Sequence, residues 1–163
     1  MIAANSIDAP AYMATPMDSD DGIIARALAI LSARIKCGPL MGSPREVREY
    51  LTVQAAKHDG REVFSVLFLD AQNRAIEFRE LFYGTLTQTS VYPREVMRAA
   101  LGLNAAAIIL THNHPSGSTQ PSRADEQLTS TLKSALALVD VRVLDHIITA
   151  GGASASMAEM GMI

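Results

Sequence analysis

Cysteine and tryptophan are almost missing from this chain. Its 163 residues include one cysteine, Cys37, and no tryptophan. A single cysteine excludes an intramolecular disulfide and a cysteine-based zinc site, and it favours a reducing compartment. The opening residues, MIAANSIDAP, contain neither the basic region nor the apolar run of a secretory signal peptide. We therefore expect a cytoplasmic protein in which Cys37 is inert packing, because no histidine lies near it in the sequence.

Long apolar runs and clusters of basic residues are also lacking. The apolar runs at 105–110 and 135–139 are far shorter than the roughly 20 residues that cross a membrane. The formal net charge is −3, and the 14 Lys and Arg residues are scattered along the chain. Binding to a phosphate backbone depends on clustered cations. The sequence thus predicts a soluble protein with no membrane partner and no strong nucleic-acid footprint, and nothing in it specifies an oligomeric state.

The size and hydrophobic content predict one compact domain. With 163 residues, of which 48% are hydrophobic, the chain can form one core but is too short for two domains of ordinary size. Residues 1–18 lack sustained periodicity and are expected to form a flexible arm. Residues 19–58 carry two helix patterns, the first ended by Gly38-Pro39 and the second running from Ser43 to about Lys57. Residues 61–163 are expected to form the main domain.

Beyond residue 60, strand patterns alternate with helix patterns. Strands or extended pieces are predicted at 62–70, 75–83, 85–92, 105–111 and 141–148, and helices at 93–101 and 123–138. The run at 62–70 is apolar on both faces and is therefore expected to lie inside the sheet. The fold class that follows is α/β, an α+β mixed sheet with flanking helices.

The most informative stretch is HNHPSGSTQPSRAD, at 112–125. His112 and His114 are one residue apart, so an extended chain projects both imidazoles from the same side. Pro115 keeps His114 extended, because the residue before a proline avoids the helical region. Asp125 supplies a third ligand. A His, His, carboxylate set leaves a position open for water, as in hydrolytic zinc sites, so these three residues are candidate metal ligands.

Ordinary structural roles for the same residues stand beside that interpretation. Ser122 and Asp125, three residues apart before an apolar-periodic run, form a helix N-cap signature, and histidines beside a Pro-Ser-Gly turn can be simple loop residues. The cap and ligand roles are compatible. In a second candidate pair, Asp145-His146, a buried histidine in a structural role is favoured over one that orients a metal ligand. His58, in a turn, is expected to face solvent.

The spacing of these residues resembles the JAMM signature of the MPN/JAB metallopeptidases, in which an upstream glutamate precedes H-x-H, seven residues, Ser, two residues and Asp. Similarity to the bacterial RadC family extends from about residue 61 onward through REVFSVLFLD, YGTLTQTSVYPREV, THNHPSG, PSRAD and VLDHIITAGG. Asn113 departs from the deubiquitinase-type signature, which has Ser or Thr there. The resemblance implies an MPN/JAB, cytidine-deaminase-like architecture, in a short form without the full N-terminal helix-hairpin-helix region.

The resemblance also implies a zinc-dependent metallopeptidase or isopeptidase that uses a metal-activated water. Zn2+ would be held by His112, His114 and Asp125. Glu62 would be the general base, although by position alone it is an ordinary strand-edge glutamate, and Ser122 would donate a hydrogen bond to the oxyanion. The peptide or isopeptide substrate is not specified. The alternatives are a non-catalytic, partner-docking MPN module linked to DNA repair, recombination or mobile-element function, and a metal-dependent nucleic-acid enzyme, which the acidic charge balance disfavours.

Overall fold

A computed structural model describes residues 20–36, 41, 43–58, 60–84 and 90–163 of the chain. The expected flexible arm at 1–18, the helix end at Gly38-Pro39 and Cys37 lie outside the described residues. So do residues 85–89 of the extended piece expected at 85–92, and residues 90–92 belong to no strand.

The described residues form a mixed α/β fold, as the sequence predicts. The elements in chain order are α1 (Asp20–Lys36), α2 (Pro44–Ala55), β1 (Val63–Leu69), β2 (Ala75–Tyr83), α3 (Pro93–Gly102), β3 (Ala107–Asn113), α4 (Arg123–Ala137), β4 (Arg142–Ala150) and β5 (Ala153–Ser156). Among them, β3 begins two residues later than expected. Asn104 and Ala105 instead belong to the turn that ends α3. Asn104 has a left-handed φ of 52°, and the Ala105 amide donates to the Ala100 carbonyl. The strand also ends two residues later than expected, at Asn113, so that it includes His112.

The strands form one mixed sheet in the order β2-β1-β3-β4-β5. β1 pairs antiparallel with both β2 and β3, whereas β3 and β4 are parallel and α4 connects them. A parallel pair needs such a crossover, because its strands run in the same direction. All seven residues of β1 are buried, so the predicted interior position of this strand is confirmed.

Helices cover both faces of the sheet and create two apolar cores. On one face, Phe64, Val66 and Leu110 pack against α3 and α4, and on the other, Leu67 and Ile109 pack against α2. Because side chains alternate between the faces of a strand, β3 sends His112 to the side of α4. Its neighbours Thr111 and Asn113 point to the side of α2.

Among the described residues, no helix combines the length and apolarity that crossing a membrane requires.

Thr111 in β3 and Thr149 in β4 are both buried, but only one of their hydroxyl groups has a hydrogen-bond partner among the described residues. The Thr149 hydroxyl donates to the His112 carbonyl at 3.3 Å, whereas the Thr111 hydroxyl has no partner among the described residues. A buried hydroxyl without a partner destabilises a fold, and replacing it by a methyl group removes that cost. We expect Thr111→Val to raise the free energy of unfolding by up to about 1 kcal/mol and Thr149→Val to lower it by about 1 kcal/mol. Urea denaturation of both variants measures this, and equal losses would contradict it.

Candidate metal centre

The fold brings together the side chains of His112, His114 and Asp125. Each offers a ligand atom, and these atoms lie within 4.8 Å of one another. The Nε2 atoms of the two histidines are 2.8 Å apart. Asp125 Oδ1 lies 3.3 Å from His112 Nε2, and Asp125 Oδ2 lies 3.6 Å from His114 Nε2. The three candidate ligands, which come from the end of a strand and the start of a helix, thus face one point.

Asp125 is held in place by the start of α4. The Ser122 hydroxyl accepts a hydrogen bond from the Asp125 amide at 3.2 Å, while the Ser122 amide and hydroxyl donate to Asp125 Oδ2 at 2.7 and 2.6 Å. This reciprocal arrangement is a capping box, so the predicted cap is confirmed. Since both donors of Ser122 fall on Oδ2, the cap fixes the carboxylate while Oδ1 faces His112. The partial positive charge of the helix start also favours an ionised acid there.

The far side of the His114 ring fixes its tautomer. Its Nδ1 lies 2.8 Å from the Ser118 carbonyl oxygen, and a carbonyl only accepts hydrogen bonds. Nδ1 must therefore carry the hydrogen, which leaves a lone pair on Nε2 of the neutral ring. The turn that brings Ser118 back to the ring includes Gly117, whose φ of 82° lies in the region that glycine adopts at little cost.

The far side of the His112 ring is fixed by a longer chain of hydrogen bonds. The Thr129 hydroxyl donates to the Asp125 carbonyl at 2.6 Å, so it can only accept from His146 Nδ1, also at 2.6 Å. His146 Nε2 then carries the lone pair and accepts from His112 Nδ1 at 2.8 Å. It follows that His112 Nε2, like His114 Nε2, presents a lone pair to the site.

Two lone pairs and a carboxylate oxygen around one point need a cation between them. In tetrahedral zinc sites with Zn–N bonds of about 2.0–2.1 Å, two nitrogen ligands lie roughly 3.3 Å apart. The spacing of 2.8 Å between the histidine nitrogens reaches that value if the rings separate by about 0.5 Å. Imidazole nitrogens and carboxylate oxygens suit zinc and several other divalent metals. The donor set therefore fits a divalent metal ion.

Burial and hydrogen bonding set the charges of these groups in opposite directions. Burial lowers the pKa of His112 to about 4, and it holds the pKa of His146 well below the usual range. The hydrogen bond to Asp125 raises the pKa of His114, and the charge of Glu62 acts in the same direction. Burial alone would raise the pKa of Asp125, but hydrogen bonds from His114 and Ser122 outweigh it and hold that pKa far below its normal value. Without a metal, His114 is thus the ring that takes up a proton.

The two residues expected to act in catalysis lie beside this cluster. Glu62 is half-buried immediately before β1, and its charge acts on His114. Ser122 contacts Asp125 through its cap, and its hydroxyl hydrogen points to Oδ2. To donate to a substrate oxygen, that hydroxyl would turn away from Oδ2, which it can do while still accepting from the Asp125 amide. Its oxyanion role and the base role of Glu62 stay predictions.

Two interpretations of the other histidines are wrong. His146 is fully buried as expected, but its ring contacts His112 and not its neighbour Asp145, whose carboxylate accepts from Ser156 and from backbone amides. His58 does not simply face solvent, because its Nε2 lies 3.0 Å from Glu80 Oε1 in β2 and its side chain is 13% exposed. Both contacts depend on strand register, which the sequence pattern leaves undefined.

Thr129 is a functional candidate that the sequence pattern did not single out. It lies one helical turn after Asp125, so an i, i+4 search from the candidate ligand finds it. His146 lies opposite Leu110 in the parallel pairing of β3 with β4. It therefore points to the same face of the sheet as His112, a relation that becomes visible only when the register is known.

A cleft of about 380 Å³ opens beside His114 and Asn113. Its walls are the end of α2, the turn after His114 and the turn between β4 and β5, and most of the lining side chains are small: Thr52, Ala55, Ala56, Gly60, Gly117, Thr149, Ala150, Gly151 and Gly152. The side chain of His114 is 16% exposed, whereas that of His112 is 1% exposed. Of the two histidines, His114 is therefore the more accessible, and it is the candidate ligand that lines the cleft.

Comparison with known proteins identifies relatives over most of the chain. The model of the RadC-like JAB domain family matches residues 41–162. The chain is 58% identical over 141 residues to a UPF0758 protein of Verminephrobacter eiseniae, covering 86% of this chain and 59% of the relative. It is 61% identical over 125 residues to a UPF0758 protein of Leptothrix cholodnii, covering 77% and 56% of the two chains. The chain thus spans about three fifths of the length of these relatives, whose names describe no activity.

Removal of the Thr129 hydroxyl should weaken metal binding. In Thr129→Val, nothing accepts the hydrogen on His146 Nδ1, so the hydrogen bonds no longer fix the lone pair of His112 toward the site. Partners of this kind typically change metal affinity by about 10–100-fold. Thr131→Val is a matched control, because Thr131 also donates to the carbonyl four residues earlier but is exposed. Competition with a chromophoric chelator measures both affinities, and equal changes would contradict the role of Thr129.

The stability of the metal-free protein should fall on acidification. The folded pKa of His112 is about 4, below the value of about 6.5 in an unfolded chain. The unfolded state therefore binds protons first as the pH falls, and the contribution of His112 is lost between about pH 6.5 and pH 4, on the order of 3 kcal/mol. His146, with its lowered pKa, adds to the loss. His114, with its raised pKa, contributes stability that is present below its unfolded pKa and lost on alkalinisation, which offsets part of the loss.

Chemical denaturation with a chelator at several pH values measures this dependence. The variant Thr131→Val is the control, because Thr131 is exposed on α4 and its replacement removes no titratable group. A flat stability profile between pH 6.5 and pH 4 would contradict the assignment of neutral, buried rings to His112 and His146.

Proposed function

Because the chain belongs to the RadC-like JAB domain family, which includes hydrolases, we propose that it is a metal-dependent hydrolase of amide bonds. In this proposal it is a JAMM-type metallopeptidase or isopeptidase with zinc at His112, His114 and Asp125. The observation that carries the proposal is the pair of imidazole lone pairs that face one point beside an ionised carboxylate.

The donor set matches a catalytic zinc site better than a structural one. Structural zinc sites have four protein ligands, whereas catalytic sites have three and keep one position for water or substrate. Three candidate ligands converge here. When bound, the metal would supply a Lewis acid that acidifies a water molecule and polarises a carbonyl group.

The residues of the chain then divide the remaining work. The hydrogen bonds at Nδ1 of His112 and of His114 fix the orientation of both rings and leave a lone pair on each Nε2. Glu62 would take the proton of the attacking water and pass it to the leaving amine. Ser122 would donate its hydroxyl hydrogen to the developing oxyanion after turning away from Asp125.

The cleft beside His114 offers room for a peptide. Its volume of about 380 Å³ is within the range of ligand pockets. Charged groups are few in its described lining, which carries no Asp, Glu, Lys or Arg side chain. An extended segment with small, uncharged side chains fits such a lining without leaving a charge unpaired. Among the candidate ligands, His114 lines the cleft, so in this proposal a peptide or isopeptide bound there would approach the centre past this ring.

Glu62→Gln should greatly slow hydrolysis while leaving metal binding intact. A general acid–base residue contributes about 10²–10⁴-fold to a rate, so we expect a loss of that size in a screen of peptide and isopeptide libraries with the zinc-loaded protein. Glu46→Gln is the matched control, because Glu46 is an exposed carboxylate at the start of α2 and its replacement should leave the rate unchanged.

The same screen separates hydrolysis from docking. If the wild type binds stoichiometric metal but cleaves nothing, or if Glu62→Gln cleaves as fast as the wild type, the hydrolase proposal is wrong. A metal-containing, partner-docking domain would then be the better interpretation. If elemental analysis after reconstitution finds no zinc, nickel or cobalt, the metal centre itself is wrong.

A further inference from the structure

We propose that Asn113 is a positioning residue that fixes Glu62 beside the metal centre. The inference rests on the proposed function, because that function gives Glu62 its task as a base. Asn113 stands between the two candidate ligands in the sequence, but its side chain leaves the opposite face of β3 and binds the backbone on both sides of Glu62.

The carboxamide of Asn113 makes two short hydrogen bonds to that backbone. Its Oδ1 accepts from the Val63 amide at 2.8 Å, and its Nδ2 donates to the Arg61 carbonyl at 2.9 Å. The same Nδ2 lies 3.5 Å from the His58 carbonyl. Asn113 is 8% exposed, so these bonds form in a buried environment, where losing one leaves a polar group without a partner.

The position of these bonds explains why an amide side chain is needed. The pairing of β1 with β3 runs from Leu69 opposite Ala107 to Phe64 opposite His112. Continued pairing would place Val63 opposite Asn113, and there the side chain of Asn113 replaces the backbone, since it has one acceptor and one donor as a peptide group has. The regular pairing of β1 with β3 therefore ends at Phe64, two residues after Glu62.

Glu62 is also held from the other side. Its own carbonyl accepts from the Gly84 amide, just beyond β2, at 2.8 Å. Three backbone groups around Glu62 are thus held: the Arg61 carbonyl and the Val63 amide by Asn113 of β3, and the Glu62 carbonyl by Gly84, which follows β2. The backbone from which the Glu62 side chain extends is therefore held in place, and a general base must be held within a fraction of an ångström of its working position.

The tripeptide His112-Asn113-His114 therefore does two things at once. Its alternation sends both imidazoles to the metal centre and the carboxamide to the segment that carries Glu62. Any shift of β3 moves the ligands and the base together. Asn113 in this way couples the position of Glu62 to that of the metal ligands without touching the metal.

The test compares Asn113→Ala with Thr111→Val, a substitution in the same strand and on the same face. In Asn113→Ala, the Val63 amide should exchange its hydrogen at least about tenfold faster by NMR, whereas Leu67 in the middle of β1 should be unaffected. Cobalt affinity should stay within about threefold, because the ligands in this proposal are intact. Thr111→Val should change neither quantity. If Asn113→Ala does not fold, Asn113→Leu replaces it, since this variant keeps a side chain of similar size but lacks both the acceptor for the Val63 amide and the donor to the Arg61 carbonyl.

A second readout distinguishes positioning from a structural role. The visible spectrum of cobalt(II) bound at the site responds to charges near the metal, so its pH midpoint should move in Glu62→Gln. Asn113→Ala should move the midpoint in the same direction, and the double variant should move it no further than Glu62→Gln alone. A substrate-independent spectrum is used because it does not require hydrolysis to be observed.

Each outcome decides the proposal. Unchanged exchange at Val63 overturns it, and so does faster exchange with the wild-type midpoint or with additive effects in the double variant. If the wild type binds no cobalt, both this proposal and the proposed function fall. Bound cobalt with a coupled Asn113 and Glu62 but no hydrolysis would support the positioning role and remove only the hydrolase.

Discussion

The face-to-face arrangement of two imidazole lone pairs is the constraint on which the rest of this structure depends. His112 and His114 approach within 2.8 Å at Nε2, a contact that is repulsive unless a proton or a metal ion lies between them. The hydrogen-bond chain through Thr129 and His146, and the carbonyl of Ser118, force both lone pairs inward. Because the hydrogen bonds at Nδ1 of both rings direct the two Nε2 lone pairs toward each other, a cation between the Nε2 atoms is needed to remove the repulsion.

Sheet architecture and helix capping supply that arrangement by ordinary means. The parallel pairing of β3 with β4 places His146 on the same face as His112, and the crossover helix between those strands begins at the same end of the sheet as the histidines. The first turn of that helix must satisfy its free amides, and Ser122 and Asp125 do so with a capping box. The Asp125 carboxylate therefore completes the helix cap and is also one of the three candidate metal ligands.

The sequence predicts the local parts of this site and misses the parts that need register. The three candidate ligands and the cap are readable, because H-x-H on an extended chain and Ser-x-x-Asp at a helix start are short-range patterns. The contacts of His146 with His112 and of Asn113 with Arg61 join residues 34 and 52 positions apart, and a shift of one residue in pairing would remove them. The late start of β3 was missed for a related reason, since Ala105 reads as strand in composition but bonds to the end of α3.

The charge state of the site links metal binding to the stability of the fold. With His112 and His146 neutral and Asp125 ionised, the metal-free centre holds a partly buried negative charge. Ser122 donates to Oδ2 of this carboxylate, but Oδ1 faces the lone pair of His112 Nε2, an arrangement that costs free energy. A proton on His114 relieves part of that cost, in keeping with its raised pKa. A divalent ion relieves more, because it satisfies both nitrogens and the carboxylate at once. A metal ion at this site would therefore compete with protons for the same lone pairs. We expect it to bind more readily as the pH rises and to add its binding free energy to the stability of the folded state.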